Sequence, residues 1–191
     1  MKQALLLIDI QNDYFEGGAN PLVGSYCASL TAKSVLEEFR ARDLPVIHVQ
    51  HLSTRNGATF FITGTHGAEI HQNVSPIEGE KVITKSFPNS FRETELLDYL
   101  QASGITDLIV CGMMTHMCVD ATVRAAKDYG FNCTLIGDGC ATKDLEINGK
   151  SVRAEDVQNT LLASLNYYYA TVITESNKNK ENLHFLSESG V

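Results

Sequence analysis

The chain has 191 residues, 43% of them hydrophobic and 20% charged, which fits a single globular domain over 1–191 with a sizeable core better than two small ones. Fifteen Lys and Arg against 23 Asp and Glu leave a formal charge of -8, so no cationic surplus exists to neutralise a phosphate backbone or an anionic bilayer; nucleic acid and membrane are not expected partners. The opening Met1-Lys2-Gln3 and the apolar run Ala4 to Ile8 are too short for a secretion signal, no later run approaches a spanning length, and the five cysteines lack CxxC spacing, a pattern that predicts a soluble protein of the reducing cytoplasm.

Val-, Ile- and Leu-rich runs recur along the chain and predict six strands, each covered on both faces: Ala4–Ile10, Val46–Val49, Val82–Thr84, Leu108–Met113, Cys133–Ile136 and Thr171–Thr174. Helical spacing falls between them, at Leu30, Val35, Leu36 and Phe39, at Leu96, Leu97 and Leu100, at Val119, Val123 and Ala126, and at Val157, Leu161, Leu162 and Leu165. Strand alternating with helix implies right-handed crossovers and a three-layer α/β/α, Rossmann-like architecture: a mainly parallel six-stranded sheet with helices on both faces, and ligands beyond the carboxyl ends of the strands. Asp9, Met113 and Asp138 fall at such ends. The stretch from Leu52 to Gly79 breaks the alternation and reads as a functional lid or binding loop. The polar end of the chain, 176–191, reads as a frayed tail or a contact with a partner subunit.

Cys118 follows Gly112-Met113-Met114-Thr115-His116-Met117, a strand exit into a helix for which Thr115 is the expected N-cap. In a first helical turn the unpaired N–H groups and the macrodipole favour a thiolate, and the same N–H groups can cradle an oxyanion. A buried structural cysteine is the competing account, and it suffices for Cys111 and Cys133 inside strands. Asp9 ends the first strand after an apolar run, where a carboxylate needs a partner or a cleft; loop amides after Gln11, Asn12 and Asp13 are one such partner. Lys85 closes the third strand ahead of Ser86-Phe87-Pro88, although a surface lysine is the default for that residue type. Acid, cation and thiol at three strand ends would converge in one crevice.

These pieces resemble the isochorismatase-like cysteine hydrolases, the family of nicotinamidases, N-carbamoylsarcosine amidases and streptothricin hydrolases. The matching segments are Leu6-Leu7-Ile8-Asp9-Ile10-Gln11-Asn12-Asp13-Tyr14-Phe15, Gly64-Thr65-His66-Gly67-Ala68-Glu69-Ile70-His71, Val82-Ile83-Thr84-Lys85 with Ser90-Phe91 and Thr94-Glu95-Leu96, and Val110 to Val119 with Thr122 and Arg124. The resemblance implies a triad in which Asp9 takes the proton of Cys118, Lys85 holds the pair and stabilises charge, and the sulfur attacks an amide-like carbon. It also implies a cis peptide at Met113-Met114 and an oxyanion hole from the N–H groups of Met114 and Cys118. Tyr14 maps to an aromatic set against the substrate; Phe15, His51, Phe60, Phe61, Met113 and Thr115 complete the expected pocket. The nicotinamidase metal positions correspond here to His51, Ser53 and Phe60, so no catalytic metal and no cofactor are expected. The substrate is expected to be a small amide, ureido or lactam-like molecule and the assembly a homodimer or homotetramer, with Tyr167-Tyr168-Tyr169 and the tail as contacts. A vinyl-ether hydrolase that uses Asp9 and Lys85 without the thiol, and a non-catalytic binding module, are the alternatives.

Overall fold

A computed structural model describes residues 2–174, so the expected frayed tail lies outside the described residues. In chain order the main elements are β1 (Gln3–Ile8), α1 (Ser25–Ala41), β2 (Val46–His51), β3 (Lys81–Lys85), α2 (Leu96–Ala102), β4 (Asp107–Met113), α3 (Asp120–Asp128), β5 (Asn132–Ala141), β6 (Leu145–Ile147), β7 (Lys150–Val152), α4 (Ala154–Tyr168) and β8 (Thr171–Ile173). Six strands form one sheet in the order β3-β2-β1-β4-β5-β8, and every neighbouring pair in it is parallel. No helix among the described residues is long and apolar enough to cross a membrane.

The apolar runs are continuous because both faces of the sheet are covered. Alternate residues of β1 go to opposite sides: Leu6 and Ile8 join Val110, Val123 and Leu165 in one core, while Leu5 and Leu7 join Leu36, Phe39 and Ile109 in the other. Thus α1 covers one face and α2, α3 and α4 the other, each fully buried Leu or Ile contributing about 1.5–3 kcal/mol. Chain order reverses between β1 and β4, so the crevice of the parallel sheet opens beyond their carboxyl ends.

Three expectations shift. β1 stops at Ile8 rather than Ile10, because Asp9 turns out of the sheet with φ 51°. β5 runs on to Ala141 after a register shift opposite Val110 to Gly112, which places Asp138 inside the strand and not at its end. The antiparallel pair β6–β7 escaped periodicity, although its Asn148-Gly149 turn, with φ of 54° and 69°, is a local hairpin signal.

Two contacts fix the frame around the crevice. A Cβ on Gly112 would lie 2.5 Å from the Ile8 carbonyl oxygen and 2.7 Å from Ile8 Cβ, so only glycine lets β4 close on β1 there. At the end of the long loop, Glu80 accepts from Arg40 Nε and Nη2 at 2.7 and 2.9 Å and from the Ile77 N–H at 3.0 Å, with His48 Nε2 at 2.8 Å. Burial alone would raise the pKa of Glu80; Arg40, the Ile77 N–H and His48 outweigh it and bring the pKa from 4.5 to about 2.

Gly112→Ala should lower the unfolding free energy by about 1–3 kcal/mol, read from urea denaturation, and an unchanged midpoint would contradict the close approach. A folded pKa below the unfolded one stabilises above the unfolded value and is lost as pH falls through the folded value. Glu80→Gln should therefore flatten the decline of the urea midpoint between about pH 4.5 and 2; parallel declines in both proteins would count against this ion pair.

Candidate active site

The strand ends bring Asp9, Lys85 and Cys118 together. Asp9, fully buried, donates its N–H to the Val49 carbonyl at 3.0 Å, and the turn it makes is completed by Gln11 N–H donating to the Asp9 carbonyl at 3.0 Å. Lys85 ends β3 with its side chain wholly enclosed and its Nζ 2.7 Å from Asp9 Oδ2. The same ammonium lies 3.0 Å from His51 Nδ1 and donates to the Phe87 carbonyl at 3.0 Å, so its three protons have three acceptors. Burial by itself would lower the Lys85 pKa, but Asp9 and then Cys118 raise it further, and Lys85 remains a cation.

An ammonium can only donate, so His51 Nδ1 must present its lone pair, which puts the ring proton on Nε2. Burial first, and the Lys85 charge second, lower the His51 pKa and keep the ring neutral. Gln11 locks the backbone of that histidine from below: its Oε1 accepts the His51 N–H at 2.8 Å and its Nε2 donates to the His51 carbonyl at 2.9 Å.

Cys118 is 4% exposed, and its sulfur, a carboxylate oxygen of Asp9 and a ring nitrogen of His51 all lie within 4.8 Å of one another. β4 reaches it through the Met113-Met114 peptide, which is cis, and a π-helical turn, Thr115–Val119, in which Val119 N–H donates to the Met114 carbonyl at 3.2 Å. Two expectations are corrected. Thr115 caps no helix; its hydroxyl donates to the Ala141 carbonyl at 3.1 Å, and α3 begins only at Asp120. Nor is the thiol acidified as a helix terminus would have it: burial, and next the Asp9 charge, push its pKa up, and the opposing pull of Lys85 is smaller.

A cavity of about 310 Å³ opens beside the sulfur, at the small end of the range for ligand sites. Of the expected pocket residues, Tyr14, His51 and Phe60 line it, together with Met114 and Cys118 of the expected oxyanion hole. Phe15 does not, because its ring stacks on His71 at 3.7 Å elsewhere; Phe61 and Met113 are sealed in the core; Thr115 is held by Ala141. Phe87 lines the cavity as well, and Arg55 and Met117 do so with no local sequence signal that marks those positions. Asp13 was also undervalued. Its Oδ2 accepts the Phe61 N–H at 2.6 Å and its Oδ1 the Ala19 N–H at 3.1 Å, pinning the 52–79 loop. A Cβ on Gly67 would sit 2.0 Å from Asp13 Oδ1, so that loop position must be glycine. A run of polar residues directly after a buried strand was the available signal.

The donor set does not suit a divalent metal. Ser53 bridges to Ile62 through its backbone and Phe60 packs against Tyr14 and Phe61. Among the described residues one triple of His, Cys and acid lies within ligand distance, Asp9, His51 and Cys118, and Lys85 already bonds two of its members.

A doubly wound parallel sheet with acid, lysine and cysteine gathered at its switch point matches the isochorismatase-like α/β fold. Residues 3–176 match the Isochorismatase domain, and the chain belongs to the isochorismatase family, whose members are hydrolases. It is 49% identical over 174 residues to the isochorismatase family protein YddQ of Bacillus subtilis strain 168, covering 91% of this chain and 97% of that one. It is 32% identical over 165 residues to a streptothricin hydrolase of Streptomyces noursei, covering 85% of this chain and 56% of that one. The crystal structure of an isochorismatase hydrolase from Oleispira antarctica superposes with a TM-score of 0.87 at 46% identity, covering 91% and 93% of the two chains. Relatives also include a nicotinamidase of Escherichia coli, and the N-carbamoylsarcosine amidase of Thermoplasma acidophilum shares the fold.

Lys85→Met should cost about 3–5 kcal/mol in urea unfolding by stranding the buried Asp9 carboxylate, with much of the loss restored in the Asp9→Asn, Lys85→Met double variant. Equal stability of the single variant and the parent would show that Asp9 carries no buried charge.

Proposed function

We propose that the protein is a cysteine amidohydrolase that cleaves the C–N bond of a small amide, ureido or lactam-like substrate. The observation that carries this reading is the approach of the Cys118 sulfur to within 4.8 Å of an Asp9 carboxylate oxygen, with Lys85 Nζ 2.7 Å from that carboxylate. As the sulfur attacks the carbonyl carbon, its proton passes to Asp9, so the thiolate forms only as the C–S bond forms. The oxyanion is received by the N–H groups of Met114 and Cys118. Asp9 then gives the proton to the departing nitrogen, the C–N bond breaks, and ammonia or an amine leaves an acyl-thioester. Water loses a proton to Asp9 and attacks the thioester; the C–S bond breaks, the acid departs, and Asp9 returns the proton to sulfur. Lys85 stays charged throughout and keeps Asp9 anionic and aimed between attacks. Amidase relatives support the bond type, and the apolar Phe60, Phe87 and Met117 walls support a small substrate.

We further infer a homodimer or homotetramer, for which Tyr167 and Tyr168 at the end of α4 offer exposed aromatic surface, and a reducing cytoplasmic setting, which five unpaired thiols support. Nucleic acid and membrane are not partners in this reading.

Ammonia release from a panel of nicotinamide, carbamoyl amino acids, cyclic ureides and aliphatic amides should identify a turned-over member. Cys118→Ala should reduce that rate by about 10³-fold or more, and iodoacetamide should abolish it in step with labelling of Cys118. Turnover that survives both treatments would show that the thiol is idle and favour the vinyl-ether type of chemistry.

A further inference from the structure

The charges around the cavity do not balance. No carboxylate among the described residues lines it, and Asp9 beneath is matched by Lys85 at 2.7 Å. Five of the six arginines pair with a carboxylate: Arg40 with Glu80, Arg42 with Glu38, Arg92 with Glu93, Arg124 with Asp120 and Arg153 with Asp156. Arg55 makes no such pair among the described residues, and it is the arginine that lines the cavity beside Cys118. In a chain with a formal charge of -8, an unmatched guanidinium at this mouth is a local reversal of sign. The neighbouring His51 adds a second donor, since Lys85 occupies its Nδ1 and leaves the proton on Nε2. Arg55 is exposed at the rim of the cavity, whose wall also includes the apolar Phe60, Phe87 and Met117, and Arg92 backs the Phe87 ring from 3.7 Å.

We propose that Arg55 is a specificity-determining residue and that the site takes amides or ureides bearing a carboxylate, held by the Arg55 guanidinium while the scissile carbonyl lies against Cys118. A planar fork of N–H donors suits a carboxylate better than a neutral amide. The proposal rests on Cys118 being the nucleophile.

Alkylation tests both layers without knowledge of the substrate. Iodoacetate and iodoacetamide undergo the same displacement, in which sulfur bonds to carbon, iodide leaves and the thiol proton is released; they differ in one carboxylate. Rates are read on the Cys118 peptide by mass spectrometry. The iodoacetate-to-iodoacetamide ratio should fall about tenfold in Arg55→Gln, remain near the parent value in Arg55→Lys and shrink with added salt. Lys85 attracts the anion equally in all three proteins and cancels. An unchanged ratio in Arg55→Gln overturns the proposal. Succinamate, an amide with a carboxylate, should protect Cys118 of the parent from iodoacetamide at lower concentration than butyramide, and lose that advantage in Arg55→Gln; equal protection in the parent overturns the substrate class. If neither reagent marks Cys118 while both mark the exposed Cys27, the nucleophile reading itself fails and takes this proposal with it.

Discussion

An ammonium and a carboxylate 2.7 Å apart, both shut away from solvent, constrain the whole crevice. Either charge alone would be several kcal/mol too costly to bury, so neither is tolerated without the other and without further hydrogen bonds. Lys85 meets that demand with acceptors from three segments: Asp9 after β1, His51 at the end of β2 and the Phe87 carbonyl in the turn after β3. One cation therefore sets the relative position of three strand ends, the tautomer of a histidine and the path of the Ser86–Pro88 turn. A fourth segment supplies the sulfur.

That fourth segment arrives because β4 lies directly against β1, with Gly112 touching Ile8. From this pair the chain leaves to opposite faces, α1 toward one core and α3 toward the other, which leaves the crevice uncovered from above. The 52–79 loop roofs it. Asp13 and the Arg40–Glu80–His48 cluster anchor that roof at its middle and end, and the Tyr14–Phe60–Phe61 ring cluster packs it from within, so polar and apolar contacts together shape the cavity.

The strands, the helices and the three polar side chains gathered in the crevice were legible because each obeys a local rule. Two-sided burial writes continuous apolar runs, helical cores write their spacing, and a charged residue closing such a run stands out. Other features depend on partners distant in the chain. Whether Thr115 caps a helix or bonds Ala141 is decided by β5, 26 residues later. The protonation of Cys118 is decided by enclosure and by Asp9, which a helix-terminus argument does not include. Exposed Arg55 at the cavity rim and buried Phe15 away from the cavity sit in the aperiodic regions around the roof, where only tertiary contacts choose a direction. The β6–β7 hairpin differs: Asn148-Gly149 announced it locally, and its flanking strands were too short and exposed to show a period.

Hydrogen peroxide oxidises a thiolate far faster than a thiol. Burial and the Asp9 charge both favour the slower-reacting thiol form of Cys118, whereas Cys27 is exposed to solvent. The enclosure that brings Cys118 beside Asp9 thereby also limits the contact of that sulfur with oxidants in solution.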